Sequence, residues 1–407
     1  MKVIISTGQG RLHLIESAKY LFAHGVDVRV ITGWVPSISD KMVNRIGRIL
    51  GSKNLAYGMN RRKELGKDRT YTCGRSEFFI QILFLLSRFK LLKREKAAVL
   101  GWKRFGRQSK QYLKNANVFH VRSGAGQGGA IQSARKNGMK ILVDHSAAHP
   151  QATYNQLIKA GIAEKDIFIK PDSIFWQLVM KDCEQADVIL VNSDYVKETF
   201  VNNGYDADKI HIVYLGIRED FIGLKKDWSL NGAVRLLFTG NFSRLKGAYL
   251  ILECVKQLHD AGCEYHLDIV GSIEETLIIP EWSKNNPQIT FHGHLTQDHL
   301  KSFFKESDIY IFPSYSEGSA QSLKEAMAAG LPVVATRQSG APIIHKVNGY
   351  LVPENSSLAI KDAIIELSNE HVLRKKIGCN AAETIEHGHT WRKYAEQVRN
   401  VYTELLT

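Results

Sequence analysis

The chain has 407 residues, 44% of them apolar and 23% charged, with a formal charge of +13. That length exceeds one ordinary core and the composition is globular, so two domains of about 200 residues each are expected and a disordered chain is excluded. Five widely spaced cysteines without a CxxC pair exclude a disulfide framework and a cysteine-based zinc site.

The start, MKVIISTGQG, enters a strand (KVIIS, 2–6) and a glycine turn at once, so no signal peptide is read there. ESAKYLFAHG (16–25) has helical spacing and VDVRVIT (26–32) alternates like a strand. From Lys41 to Lys114 there are 20 Lys or Arg against four acids, a surplus larger than the charge of the whole chain. Within this basic block, FFIQILFLL (78–86) is too short to span a bilayer, which needs about 20 apolar residues. Phe78, Phe79, Ile82, Leu85 and Phe89 interleave there with Arg88, Lys90, Lys93 and Arg94, a pattern suited to an interfacial helix on anionic lipid. Ordinary helix packing with a solvated cationic face gives the same pattern. No nucleic-acid-binding module is visible.

The strand-and-helix rhythm continues through NVFHVRS (117–123), GGAIQSARKNG (128–138), KILVDHS (140–146), ADVILVNS (186–193) and KIHIVYLG (209–216). It resumes with VRLLFTG (234–240), a helix over 247–262, EYHLDIVG (264–271), QITFHG (288–293), DIYIFPS (308–314), LPVVAT (331–336) and NGYLVP (348–353). Strands alternating with helices imply doubly wound parallel sheets, and two such halves meeting face to face leave a cleft at the strands' C-terminal ends. The polar stretch 216–233 is the linker candidate, and HTWRKYAEQVRNVYTELL (389–406) is an amphipathic helix. The expected division is 1–215, 216–388 and a terminal helix 389–407.

The chemistry concentrates in SEGSAQSLKEAMAAGLPVVAT (316–336). Ser319 is the expected N-cap of a helix ending at Gly330. Free amides at that helix start favour an anion, with Glu317 beside it and Glu325 about two turns in. An isolated pair of this kind is more often a dipole partner and a solvated helix residue. Here it is accompanied by FTGNFSRLKGAYLIL (238–252), where Gly240 allows close backbone approach and Arg244 and Lys246 supply cations for a diphosphate. DHSAAHP (144–150) offers Asp144, His145 and His149. No helix is signalled there, Pro150 follows, and a metal site is not favoured. His145 is expected to face the cleft, with a polar loop of no special role as the alternative.

Residues 185–360 resemble the donor-binding half of the retaining GT-B glycosyltransferases with the E-x7-E motif, the glycosyl transferases group 1 family. The matching stretches are QADVILVNSDYVKETFVNNGYDADKIHIVYLGI (185–217), FTGNFSRLKG, DIVGS (268–272), ITFHGHL (289–295), SDIYIFPSYSEGSAQSLKEAMAAGLPVVAT (307–336) and QSGAPIIHKVNGYLV (338–352). The first half matches mainly in pattern, through GQGRLHLIESAKYLFAHGVDVRVIT. The resemblance implies Glu325 on the donor ribose, Glu317 on the donor sugar and Lys246 on the diphosphate. It implies donor contacts at Gly10, Gly240, Asn241, Gly271 and Gly293, a cradle of amides around Gly318, Ser319 and Ala320, and a terminal helix crossing back to the first domain. The chain departs from the family at three points. Asn241 stands where an arginine is usual, Ser319-Ala320 replaces an aromatic-glycine pair, and Arg122 occupies the place of a frequent histidine, with His120 two residues earlier.

The expected protein is a retaining, metal-independent glycosyltransferase with no cofactor, using a UDP- or GDP-linked sugar. Catalysis would rest on Glu317, Lys246, Arg244, Arg122 and His145. The acceptor is expected to be membrane-associated and lipid-linked or a glycan, in cell-surface polysaccharide or glycolipid synthesis. The protein would be cytoplasmic and peripheral on the inner face of the membrane, through residues 41–114. A nucleotide-sugar epimerase on the same architecture and a non-catalytic nucleotide-sugar or nucleic-acid binding protein are the rival readings.

Overall fold

The computed structural model describes residues 1–8, 12–35, 45, 66–230 and 232–407. Its first sheet comprises β1 (Lys2–Ser6), β2 (Asp27–Thr32), β3 (Thr70–Thr72), β4 (Val118–Arg122), β5 (Lys140–His145), β6 (Val188–Val191) and β7 (Ile210–Ile212). All pairs are parallel, in the order β3-β2-β1-β4-β5-β6-β7. The second sheet comprises β8 (Val234–Thr239), β9 (Tyr265–Val270), β10 (Ile289–Gly293), β11 (Ile309–Phe312), β12 (Val333–Thr336) and β13 (Tyr350–Val352). It is also parallel, in the order β10-β9-β8-β11-β12-β13. Both sheets are covered on their two faces, so their strands read as apolar runs rather than as alternation.

Side-chain alternation still divides the first sheet between two cores. Phe119, Val121, Ile141 and Val143 point to one face, and Val118 and Leu142 to the other. The second face is covered by the helix Leu12–Ala23 and by the terminal helix Trp391–Leu406, whose Trp391, Tyr394, Val398 and Tyr402 are buried there. The chain therefore does return to the first domain. Leu215 packs with that domain's core and Ile217 with the core of the second sheet. The segment expected to be a linker lies on the second domain, with Phe221 fully buried and Lys225 nearly so.

Several elements were not legible in sequence, among them these two. β3 is a short edge strand hidden in the basic block, and a helix spans Pro150–Lys159 where Pro150 suggested none. Proline at the first helical position has no amide to leave unpaired, and the His149 ring caps the turn by accepting the Gln151 N–H at 3.3 Å.

Candidate functional site

The site starts where β8, β9 and β10 end. The Gly240 N–H donates to the Val270 carbonyl and the Gly271 N–H to the Gly293 carbonyl, each at 2.8 Å, so the three expected glycines are neighbours. Gly271 is required there. Its φ is +138°, and a Cβ would lie 1.9 Å from the Gly240 oxygen. Asn241 accepts a hydrogen bond from the Ser272 hydroxyl at 2.8 Å.

Lys246 Nζ lies 3.1 Å from Glu317 Oε1 and 5.1 Å from the centre of the Phe312 ring. It also sits over Gly240, 3.7 Å from where a Cβ would be. Arg244 is engaged elsewhere. Its amide donates to Glu274 Oε2 at 2.9 Å, and its guanidinium donates to Glu274 Oε1 at 3.1 Å and Thr276 Oγ1 at 2.6 Å. Each cation thus already has a carboxylate partner, and the bare site is closer to neutral than the sequence suggested. A hollow of about 300 Å³ is lined by Asn241, Arg244 and Lys246 and by Leu157, Ile167 and Phe168, of which Leu157 and Ile167 pack with the core of the second sheet. Glu325 does not line it.

The helix carrying Glu325 spans Gln321–Ala329 and its N-cap is Ala320, not Ser319. The Ala320 N–H is taken by the Ser339 carbonyl at 3.0 Å, which sets the helix start one residue later than expected. It also removes Ala320 from the amides free to meet a ligand. Among the described residues the buried Ser319 hydroxyl has no partner. The Ser322 hydroxyl donates to the Thr239 carbonyl at 3.1 Å, fastening the first turn to the end of β8. Glu325, three residues on, shares that face of the helix. Among the described residues its carboxyl has no hydrogen-bond partner, and burial raises its pKa to about 7 against the pull of Lys324 and Arg218.

The first domain closes against the motif loop. The Ser193 hydroxyl donates to the Gly318 carbonyl at 2.5 Å, and Thr153 and Ser316 share a hydrogen bond at 2.8 Å. A Cβ on Gly318 would lie 2.0 Å from the Ser146 carbonyl oxygen, so glycine permits this approach. Arg122, at the end of β4, holds its guanidinium 5.3 Å from the centre of the Trp102 ring, and burial lowers its pKa to about 10.

His145 does not face the cleft as expected. It is 2% exposed, its Nδ1 lies 2.9 Å from the Ser123 hydroxyl, and its ring meets Phe200 edge-on at 5.0 Å. Burial lowers its pKa to about 4, leaving a neutral imidazole inside the domain. Alternation along β5 gives the other face to Asp144. Gly10 lies outside the described residues, as do 41–44 and 46–65 of the basic block.

The sequence did not single out His13 and Asp182 of the first domain, nor the pairing of His13 and His120 with Asp144. His13 Nε2 lies 3.0 and 3.1 Å from the two oxygens of Asp144, and His120 Nε2 lies 3.5 Å from one of them. Asp144 is 4% exposed; burial acts to raise its pKa, but His13 and His120 outweigh this and hold it well below the usual range. His120 is itself buried in the sheet and its Nδ1 pairs with the Tyr402 hydroxyl at 2.5 Å. Asp182 accepts the Gly124 and Gly126 amides at 2.6 and 2.8 Å, which shapes the loop after β4. No local pattern announces pairings this far apart in the chain. Among the described residues no group of three or more His, Cys, Asp or Glu is arranged to hold a metal ion.

Residues 233–370 match the family described as Glycosyl transferases group 1. Over 282 residues the chain is 27% identical to an uncharacterized glycosyltransferase of Methanocaldococcus jannaschii, covering 65% of this chain and 75% of the relative. Over 196 residues it is 30% identical to the amylovoran biosynthesis glycosyltransferase of Erwinia amylovora, covering 45% and 48%. The chain thus spans three quarters of the first of these relatives and about half of the second. The Anabaena protein HepE, solved in complex with UDP and glucose, superposes with a TM-score of 0.60 at 15% identity, over 99% of this chain and 100% of that one. Residues 233–370 thus match the glycosyl transferases group 1 family, within a chain whose two parallel-sheet domains have the GT-B fold.

Proposed function

We propose that the protein is a retaining glycosyltransferase that moves a sugar from a UDP- or GDP-linked donor to a membrane-associated, lipid-linked acceptor. The observation that carries this reading is the contact of Lys246 with Glu317 over Gly240, at the start of the helix that bears Glu325. A donor diphosphate would take Lys246 from Glu317, which frees that carboxylate to accept hydrogen bonds from the sugar hydroxyls. The amides of Gly318 and Ser319 and the first turn of the helix meet the remaining phosphate charge, and Glu325 accepts from the ribose. The bond from the sugar's C1 to phosphate breaks and one from C1 to the acceptor oxygen forms. The acceptor proton leaves with the diphosphate, so no protein nucleophile and no metal ion is invoked. Stabilising the departing diphosphate is then the main contribution to rate.

A place in cell-surface polysaccharide or glycolipid synthesis is supported by the name of the Erwinia relative, which assigns that protein to amylovoran biosynthesis. Membrane association is supported by the helix Gly74–Arg88, where Phe78, Ile82 and Leu85 form an outward apolar stripe continued into Phe89 just past its end. Among the described residues no helix is long and apolar enough to cross a membrane, so the contact proposed is peripheral, on the inner face.

The test is transfer from a panel of UDP- and GDP-sugars to lipid and glycan acceptors. Lys246→Ala and Glu325→Ala are each expected to lose about 100-fold or more in rate with an unchanged circular dichroism spectrum. Full activity in both would refute the site.

A further inference from the structure

Arginine is used differently in the two domains. Arg218, Arg235, Arg244, Arg337 and Arg374, which are all the arginines between residues 216 and 388, each donate side-chain hydrogen bonds to an acid or a carbonyl. Between residues 75 and 122 there are six, and among the described residues none of them makes a side-chain hydrogen bond or ion pair. Two of these six rest on aromatic rings, Arg104 over Phe79 at 5.7 Å and Arg122 over Trp102.

Three of the six converge. Arg75, Arg104 and Arg107 line one hollow of about 490 Å³ with Gln108, Gln111 and Tyr112. Arg104 and Arg107 lie one turn apart on the helix Arg94–Ser109, and Arg75 begins the neighbouring helix Gly74–Arg88. The two nearest acids in sequence are committed elsewhere, Glu77 to the Trp34 amide and Glu95 to the Phe175 amide. Three like charges gathered without a counter-charge among the described residues repel one another, and planar guanidinium forks match the oxygens of a phosphate.

The hollow also adjoins the outward stripe of its helix. Arg75, Phe78, Ile82, Leu85 and Phe89 follow one another at spacings of three and four residues, so Arg75 ends the same stripe. Phe78 and Phe89 are 71% and 67% exposed, whereas Ile80 and Leu83 are buried on the opposite side.

We propose that this hollow is a phosphate site for the headgroup of an anionic membrane lipid, seated while the stripe lies in the acyl boundary. The proposal rests on the membrane contact in the functional reading above and adds the headgroup to it. An interfacial helix buries its apolar face to the depth of the headgroups, which brings flanking arginines level with lipid phosphates.

The experiment uses the full chain and two kinds of vesicle, phosphatidylcholine alone and phosphatidylcholine mixed with phosphatidylglycerol, read by co-sedimentation. The variant R75Q/R104Q/R107Q is expected to lose about 100-fold in affinity for the mixed vesicles. A control of equal charge change on the second domain, K256Q/K305Q/K375Q, is expected to lose little. Equal losses in the two variants would overturn the headgroup site, leaving only diffuse attraction. F78S/L85S is expected to weaken binding to both kinds of vesicle. If it does so while the arginine variant binds like the unsubstituted protein, the membrane contact stands and the headgroup site falls. If the unsubstituted protein binds neither kind, both fall. Calorimetry with inorganic pyrophosphate separates the sources. Pyrophosphate binding that needs the three arginines, with vesicle binding independent of them, would assign the hollow to a free phosphate and overturn the lipid proposal.

Discussion

Glu325 holds a buried carboxyl that finds no partner among the described residues, and its neighbour Lys324 is fully buried with Nζ donating to the Leu215 carbonyl at 2.6 Å. Burial raises the first to about 7 and lowers the second to about 7, from ordinary values of 4.5 and 10.5. For the acid, the folded protein keeps its proton between about 4.5 and 7, so stability from that proton is lost as pH rises through about 7. For the lysine, the neutral amine's stability is present above 10.5 and is lost as pH falls through about 7. Hydroxyls are accepted best by the ionised carboxylate, and Arg218 and Asp220 are the other charges facing it. UDP or GDP affinity measured by calorimetry is therefore expected to rise about tenfold from pH 6 to pH 8. Glu325→Gln should flatten that profile, and a slope unchanged by the substitution would place the titration elsewhere. At this scale the residue types of the candidate site are legible in the sequence, because strand-turn-helix spacing is local. That spacing gives neither Asp144 with His13 nor the Glu274 partner of Arg244, which only folding brings within reach.

The secondary elements were the most legible part. Twelve of the thirteen strands lie within the apolar runs read from the sequence, since strands covered on both faces must be apolar along their length. The thirteenth, β3, contributes only three residues at an edge and is 'TYT', with no periodicity to detect. Among the helices, Ser357–Asn369 shows what local signals miss. Its last carbonyls are met by a residue of the following helix: Arg374 donates to Leu367 O at 2.7 Å and Ser368 O at 3.0 Å. The same guanidinium donates twice to the Trp228 carbonyl, at 2.9 and 2.6 Å, and is 2% exposed. Arg374→Leu would leave these buried acceptors unpaired and is expected to cost about 3 kcal/mol. In a domain of this size the melting temperature should fall by about 6 to 12 °C. A fall no larger than that of the exposed control Arg392→Leu would mean that the carbonyls find other partners.

Across the whole molecule, the motif loop is where the two domains meet. Gly318 touches Ser146 and Ser193, Lys324 and Gln321 hold the Leu215 and Gly216 carbonyls, and Arg337 pairs with Glu198. Gly318→Ala puts a methyl into the Ser146 carbonyl, and backbone cannot give way as a side-chain tip can. The domains are expected to part while each keeps its fold. Small-angle scattering should report a larger radius of gyration, and transfer should fall by about 100-fold through the loss of positioning. An unchanged radius with full transfer would show that the loop moves instead.

The sequence by itself determined two parallel sheets, an amphipathic terminal helix and the residue types at the candidate site, because each depends on periodicity or on spacing within one strand-turn-helix unit. Only the tertiary structure decided which charges neutralise one another, that His145 turns inward, and that three arginines stand together around one hollow. Those outcomes depend on which residues far apart in the chain become neighbours and on how deeply each is taken from water. Both follow from packing the elements together, and no local pattern encodes them.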